Sequence, residues 1–270
     1  KSLKSILLFL GAVVLGIWFL GPLEPAKLNT NFDKRVLDKD LNKYLSRIEK
    51  KFIDITNGVE KRIIWADTVG HKTPLSIVYI HGFSATSEEI RPVPDMIANI
   101  LKANLYFTRL TGHGRGPIAM TKPNVENWML DIGEAMEIGR QIGHKVIVIS
   151  TSTGSTLTAA AALNPDLSRN IAGFIFVSPN FGINNPLANV LTWPGARWWV
   201  PIVAGKIRNS SIRNKQHAKF WTTSYPTVAT IPMAALVKVM TQQDFSKIHI
   251  PALFYFSLED KVVIAQSTRK

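Results

Sequence analysis

The chain has 270 residues, enough to bury one sizeable core with little left for a second. It contains no cysteine, which excludes disulfides, cysteine-based zinc sites and a thiol nucleophile. A net charge of +13 suits an anionic membrane face or anionic substrates, and no nucleic-acid-binding motif accompanies it.

Lys1 and Lys4 open a segment that then runs without a charge to Glu24. About twenty apolar residues span a bilayer as a helix. Trp18 and Phe19 sit where interfacial aromatics would anchor such a span, and the basic flank implies a cytoplasmic N-terminus. Residues 1–23 are therefore expected to be a membrane anchor. A cleaved signal peptide is the competing reading, although no clean small-x-small site follows the apolar run.

Residues 24–60 read as a lead-in linker, with Leu41, Leu45, Ile48 and Phe52 at helical spacing. Strands are expected at 62–66 and 76–80, the second a continuous apolar run of the kind buried on both faces. Residues 88–103 read as a helix whose regular part is confined to its later residues by Pro92 and Pro94. A strand at 105–110, a helix at 125–142, a strand at 145–149 and a helix at 153–163 follow, the last stopped by Asn164-Pro165. Residues 171–177 and 252–257 read as two more buried-type strands. This alternation predicts an α/β fold with a doubly wound, mostly parallel sheet over residues 61–270.

Between Pro179 and His249 the alternation breaks. No acidic residue lies between Asp166 and Asp244, whereas eight basic ones, from Arg169 to Lys238, interleave with Trp193, Trp198, Trp199 and Trp221. Residues of about 180–249 are expected to form a lid over the C-terminal edge of the sheet, where ligands bind in open α/β folds. Its basic, aromatic face suits anionic lipid, or else it is a solvated surface with the tryptophans packed inside.

The chemistry concentrates at Ser150-Thr-Ser152-Thr-Gly154, set between a β-rich run and an alanine-rich helical segment. A strand turning abruptly into a helix with Ser at its apex is a nucleophile elbow. Ser150 and Gly154 are small so that strand and helix approach, and the helix N-terminus behind Ser152 favours developing negative charge. His81-Gly82-Phe83-Ser84 follows the strand at 76–80. Gly82 is expected to turn the backbone sharply and aim the Phe83 N–H inward as one oxyanion donor, with the Thr153 N–H as the other. His81 reads as a structural residue of that loop. Asp260, in the turn after the strand at 252–257, is the expected acid, with Glu259 beside it as a solvated turn residue.

With His81-Gly82-Phe83, Gly112-His113-Gly114, Ser150-x-Ser152-x-Gly154, Ser178-Pro179 and Ser257-x-x-Asp260-x-Val262 in this order, the chain resembles the α/β-hydrolases of the bacterial esterase, monoacylglycerol lipase and lysophospholipase type. The match runs from about Arg62 to Val263. The resemblance implies a Ser-His-Asp triad and hydrolysis of carboxylic esters, lipid-like or small, through an acyl-enzyme, with no metal or organic cofactor. The apolar leader and its basic flank lead us to expect a bacterial inner-membrane protein whose catalytic body lies outside the cytoplasm, or a secreted or periplasmic one if the leader is cleaved. In the family the histidine follows the acid. Ten residues follow Asp260 and none is His, and the last His, His249, precedes it. His113 occupies a position the family uses structurally. These 270 residues are thus expected to be truncated, lacking the final strand, the final helix and the base. The alternative is a catalytically silent relative that binds a membrane or partner through its basic lid.

Overall fold

The structure, a computed structural model, describes residues 3–269; Lys1, part of the basic flank above, lies outside them. The apolar leader forms helix α1 (Leu3–Leu20), with a mean hydropathy of 2.3 and no buried share, long and apolar enough to cross a membrane. Helix α2 (Leu41–Glu49) starts at Asp40, whose side chain accepts from the Lys43 amide, and it buries Leu41, Tyr44 and Leu45 at helical spacing.

Strands β1 (Arg62–Ile64), β2 (Thr73–Ile80), β3 (Asn104–Phe107), β4 (Gly143–Thr151) and β5 (Ile171–Val177) build the sheet, and helices α3 (Val93–Leu101), α4 (Val125–Ile142), α5 (Thr153–Ala162) and α6 (Pro165–Ser168) connect them. The insertion that follows β5 carries helix α7 (Ala196–Val203), a small hairpin of β6 (Ile207–Asn209) and β7 (Ser224–Pro226), and helices α8 (Lys215–Phe220) and α9 (Thr230–Met240). The chain then returns to the sheet as β8 (Ala252–Tyr255) and closes on helix α10 (Ala265–Arg269).

The sheet order is β1-β3-β2-β4-β5-β8, and every pair is parallel except β1 with β3. Alternation along β2 divides the core. Val78 and Ile80 join the larger cluster with Trp128, Ile132, Leu157 and Phe174, while Ile77 and Tyr79 join a second one with Ala98, Leu105 and Phe107. A parallel sheet buried on both faces requires such continuous apolar strands.

Two expectations change and one holds. The strand at 105–110 ends at Phe107, where its pairing with β1 on one side and with β2 on the other both stop. As expected from Pro92 and Pro94, the helix at 88–103 is regular only over its later residues, Val93–Leu101, and Lys102 closes it in the left-handed region at φ 49°. The segment at 252–257 is not buried: β8 pairs with β5 alone, and Leu253 and Tyr255 are 60% and 73% exposed. An apolar run tells of strand propensity; whether it is covered depends on what packs beside the edge.

Candidate active site

Parallel pairing aligns the C-terminal ends of β2, β4, β5 and β8, and each is followed by one part of the site. Register places Ser150 beside both Ile80 and Phe176, so the chain emerges from β4 level with its neighbours. Ser152 then takes φ 50°, ψ −118°, a conformation L-residues rarely adopt. It is held there by its amide, which donates to the Val177 carbonyl at 2.9 Å, and by its carbonyl, which accepts from Ser155, Thr156 and Asn180. Gly154 is required by a close approach: a Cβ there would stand 2.6 Å from the carbonyl oxygen of Ile80 and would also strike that of His81. The elbow thus abuts the end of β2, bringing Ser152 against the turn that follows that strand.

That turn is braced from inside. Leu110 donates its amide to His81 Nε2 at 3.0 Å, so Nδ1 carries the proton and donates to the Gly82 carbonyl at 2.8 Å. Burial holds the His81 ring neutral, well below the ordinary histidine range. The chain turns at Gly82, whose carbonyl accepts from the Ala85 amide at 3.3 Å, without a positive φ at the glycine. Its role is space: a Cβ would lie 2.9 Å from Glu89 Oε1 and 3.2 Å from the Ser152 Cβ. Ser84 instead takes the left-handed backbone, at φ 62°. Among the described residues, no hydrogen bond to another protein group engages the Phe83 amide or the Thr153 amide, the first of helix α5.

Sequence reasoning passed over Glu89. Its Oε2 accepts from the Gly82 amide at 2.7 Å and from the Tyr79 hydroxyl at 3.1 Å, and burial raises its carboxyl to about 7. An acidic residue eight positions after the histidine of the turn was the available signal, hidden within an apparent helix start.

Asp260 lies in the turn after β8, where Oδ1 accepts from the amides of Val262 and Val263 at 2.8 and 3.1 Å. Among the described residues, this Asx turn leaves Oδ2 without a protein hydrogen bond. Glu259 is exposed, its amide held by the Ser257 hydroxyl.

Ser152, Thr153 and Phe83 line a cavity of about 420 Å³ together with Asn180 and, from the insertion, Leu187, Leu191, Arg208, Tyr225 and Met233. Lys261 and Val262, which follow Asp260, also line it, whereas Asp260 itself does not. Asn180 is buried with its Oδ1 unpartnered. No histidine lines the cavity among the described residues. His113 is buried behind Phe83, with ring centroids 5.6 Å apart, and His217 sits on α8 beside Trp221. No three His, Cys, Asp or Glu side chains are grouped to hold a metal ion among the described residues.

The strand order, the helices on both faces and the strained strand-turn-helix after the central β4 define the α/β-hydrolase fold. A family model described as serine aminopeptidase, S33, matches residues 72–270, and the chain belongs to that family. Among solved structures it is similar to a metagenome-derived lipolytic enzyme described under LipS and LipT (TM-score 0.60, 21% identity, 77% of this chain and 80% of that one). It is also similar to a monoacylglycerol lipase of Paleococcus ferrophilus (TM-score 0.55, 16% identity, 78% and 82%). A soluble variant of the Saccharomyces cerevisiae monoglyceride lipase, in complex with a substrate analog, aligns with TM-score 0.52 and 11% identity over 78% of this chain and 76% of that one. At such identities the likeness is one of fold. No curated protein matches the chain.

Proposed function

We propose that the protein is a serine hydrolase that cleaves carboxylic esters, lipid-like ones among them, through an acyl-enzyme on Ser152. The observation that carries this reading is the strained backbone of Ser152 at φ 50°, on the wall of a cavity that Phe83 and Thr153, with their unengaged amides, also line. Strain of that kind is maintained where function needs a side chain presented clear of its own strand.

In this mechanism Ser152 Oγ attacks the ester carbonyl carbon as a base takes its proton. Negative charge gathers on the carbonyl oxygen between the Phe83 and Thr153 amides. The tetrahedral intermediate collapses by breaking the bond to the alcohol oxygen, which leaves with a proton from the base. Water then repeats the sequence on the acyl-enzyme. Asp260 Oδ2 is free to orient the base, because Oδ1 alone stabilises its turn. The reading calls for a base that is none of the six histidines here, since none lines the cavity among the described residues.

The printed descriptions of two fold neighbours, a monoacylglycerol and a monoglyceride lipase, support lipid-like esters as the substrate class. So do the apolar walls given by Leu187, Leu191 and Met233. Helix α1 is assigned as a membrane anchor, with the basic insertion as a lid facing anionic lipid and the catalytic body outside the cytoplasm. A fluorophosphonate probe on the full-length protein tests the core of the reading. It is expected to label Ser152, and Ser152→Ala to abolish the label; an unlabelled wild type, or labelling that survives the substitution, overturns it.

A further inference from the structure

Glu88 and Glu89 are adjacent in sequence and opposite in circumstance. Arg62 and Arg91 both reach Glu88, at 2.8 and 3.0 Å, and the other arm of Arg91 takes Asp95. Glu89 has no cation at all among the described residues. Its carboxyl meets the Tyr79 hydroxyl from β2 and the Gly82 amide from the turn, and Tyr79 in turn pairs with the Thr151 hydroxyl one residue before Ser152. The nearby His81 ring is buried and neutral. A half-buried carboxyl with two hydrogen bonds and no counter-charge costs stability, and such costs are kept where a site uses the group.

Its position suggests the use. Gly82 is flanked on one face by both Glu89 Oε1 and the Ser152 Cβ, which together would crowd a side chain there. Two peptide planes then set the direction of the Phe83 N–H. The Gly82–Phe83 plane is held by its carbonyl, which accepts from His81 Nδ1 and from the Ala85 amide. The His81–Gly82 plane is held by the 2.7 Å bond to Glu89. Without that bond the Gly82 amide loses its anchor, and the orientation of the Phe83 N–H rests on the Gly82 carbonyl's two bonds alone.

We propose that Glu89 is the positioning residue of the oxyanion turn, and that its carboxyl is neutral when the tetrahedral intermediate forms. The inference rests on Ser152 being the nucleophile. A neutral acid accepts the same two hydrogen bonds through Oε2 and keeps its proton on Oε1. An ionised one sets a negative charge one glycine away from the developing oxyanion and opposes it. Burial already brings this carboxyl to about 7, so the two forms exchange within the working range of a hydrolase.

The test measures fluorophosphonate inactivation rates of the protein between about pH 5 and pH 9, where a tenfold change per pH unit corresponds to one linked proton. Wild type is expected to rise as the base deprotonates and then fall above about pH 7 as Glu89 ionises. Glu89→Gln keeps both hydrogen-bond acceptances and cannot ionise, so it is expected to keep the rise, lose the fall and react roughly tenfold faster than wild type at the alkaline end. Glu89→Ala, which frees the Gly82 amide, is expected to react at least roughly tenfold slower at every pH. A falling limb that persists in Glu89→Gln overturns the neutral acid, and an alanine variant as fast as wild type overturns the positioning role. A wild type unlabelled at Ser152 at any pH refutes the nucleophile instead, a failure distinct from either.

Discussion

Gly154 and Ile80 are so close that a single methyl group on Gly154 would stand 2.6 Å from the Ile80 carbonyl oxygen. In an ordinary helix Gly→Ala stabilises by about 1 kcal/mol. Here the obstruction is backbone of β2, which is paired on both sides and has no room to yield. Overpacking therefore wins, and Gly154→Ala is expected to destabilise by roughly 2 kcal/mol or more. Urea denaturation measures it; a variant as stable as wild type would show that the elbow does not depend on this approach.

Arg109 and Glu49 form a two-pronged pair at 2.8 and 2.9 Å, both side chains under 10% exposed, with the Lys61 amide also donating to Glu49. Arg109 further donates to the His113 carbonyl, so the pair ties the lead-in helix α2 to the loop carrying Gly112-His113-Gly114. Glu49→Ala leaves a buried guanidinium unpaired and is expected to cost about 3 kcal/mol or more. A loss under about 1 kcal/mol in chemical denaturation contradicts this, because it would mean that water replaces the carboxylate.

His113 is buried with Nε2 unpartnered, and burial lowers its ring to about 4. An unfolded histidine titrates near 6.5, so the unfolded chain binds the extra proton first. This contribution to stability is complete above about pH 6.5 and disappears as the pH falls towards about 4, amounting to roughly 3 kcal/mol. His81, lowered by the same cause, acts in the same direction. His113→Asn is expected to flatten the decline in stability between about pH 6.5 and pH 5. A decline as steep as that of wild type would assign the acid sensitivity to other groups.

Trp18, near the end of α1, meets Trp193 edge-on with ring centroids 5.2 Å apart. Beside it the Gly195 amide donates to the Pro22 carbonyl at 2.8 Å, and Arg197 pairs with Glu24 at 2.6 and 2.7 Å. The exit of the leader is therefore fastened to the insertion above the cavity. Trp193→Ala removes an aromatic pair of about 1 kcal/mol and is expected to speed tryptic cleavage after Lys206 and Arg208 severalfold. Unchanged digestion would show that the contact does not restrain the insertion.

Periodicity and spacing were enough to specify the α/β alternation, the limits of α4 and β5, the elbow around Ser152 and the turn that carries Asp260, because each depends on local backbone preference within a dozen residues. The contacts that make Ser152 part of a site are not local. Gly154 is glycine because of Ile80, some seventy residues earlier, and Gly82 because Ser152 and Glu89 crowd it from two elements. The same limit applies to β8, where an apolar run identified a strand and only the sheet order set its pairing with β5. It explains Glu89 as well: beside Glu88 it reads as a second surface acid, and only folding sends both arginines to one carboxyl and leaves the other facing Gly82. Sequence determines which conformations each segment prefers; burial, partner and charge state are properties of the space between segments, and tertiary structure alone sets them.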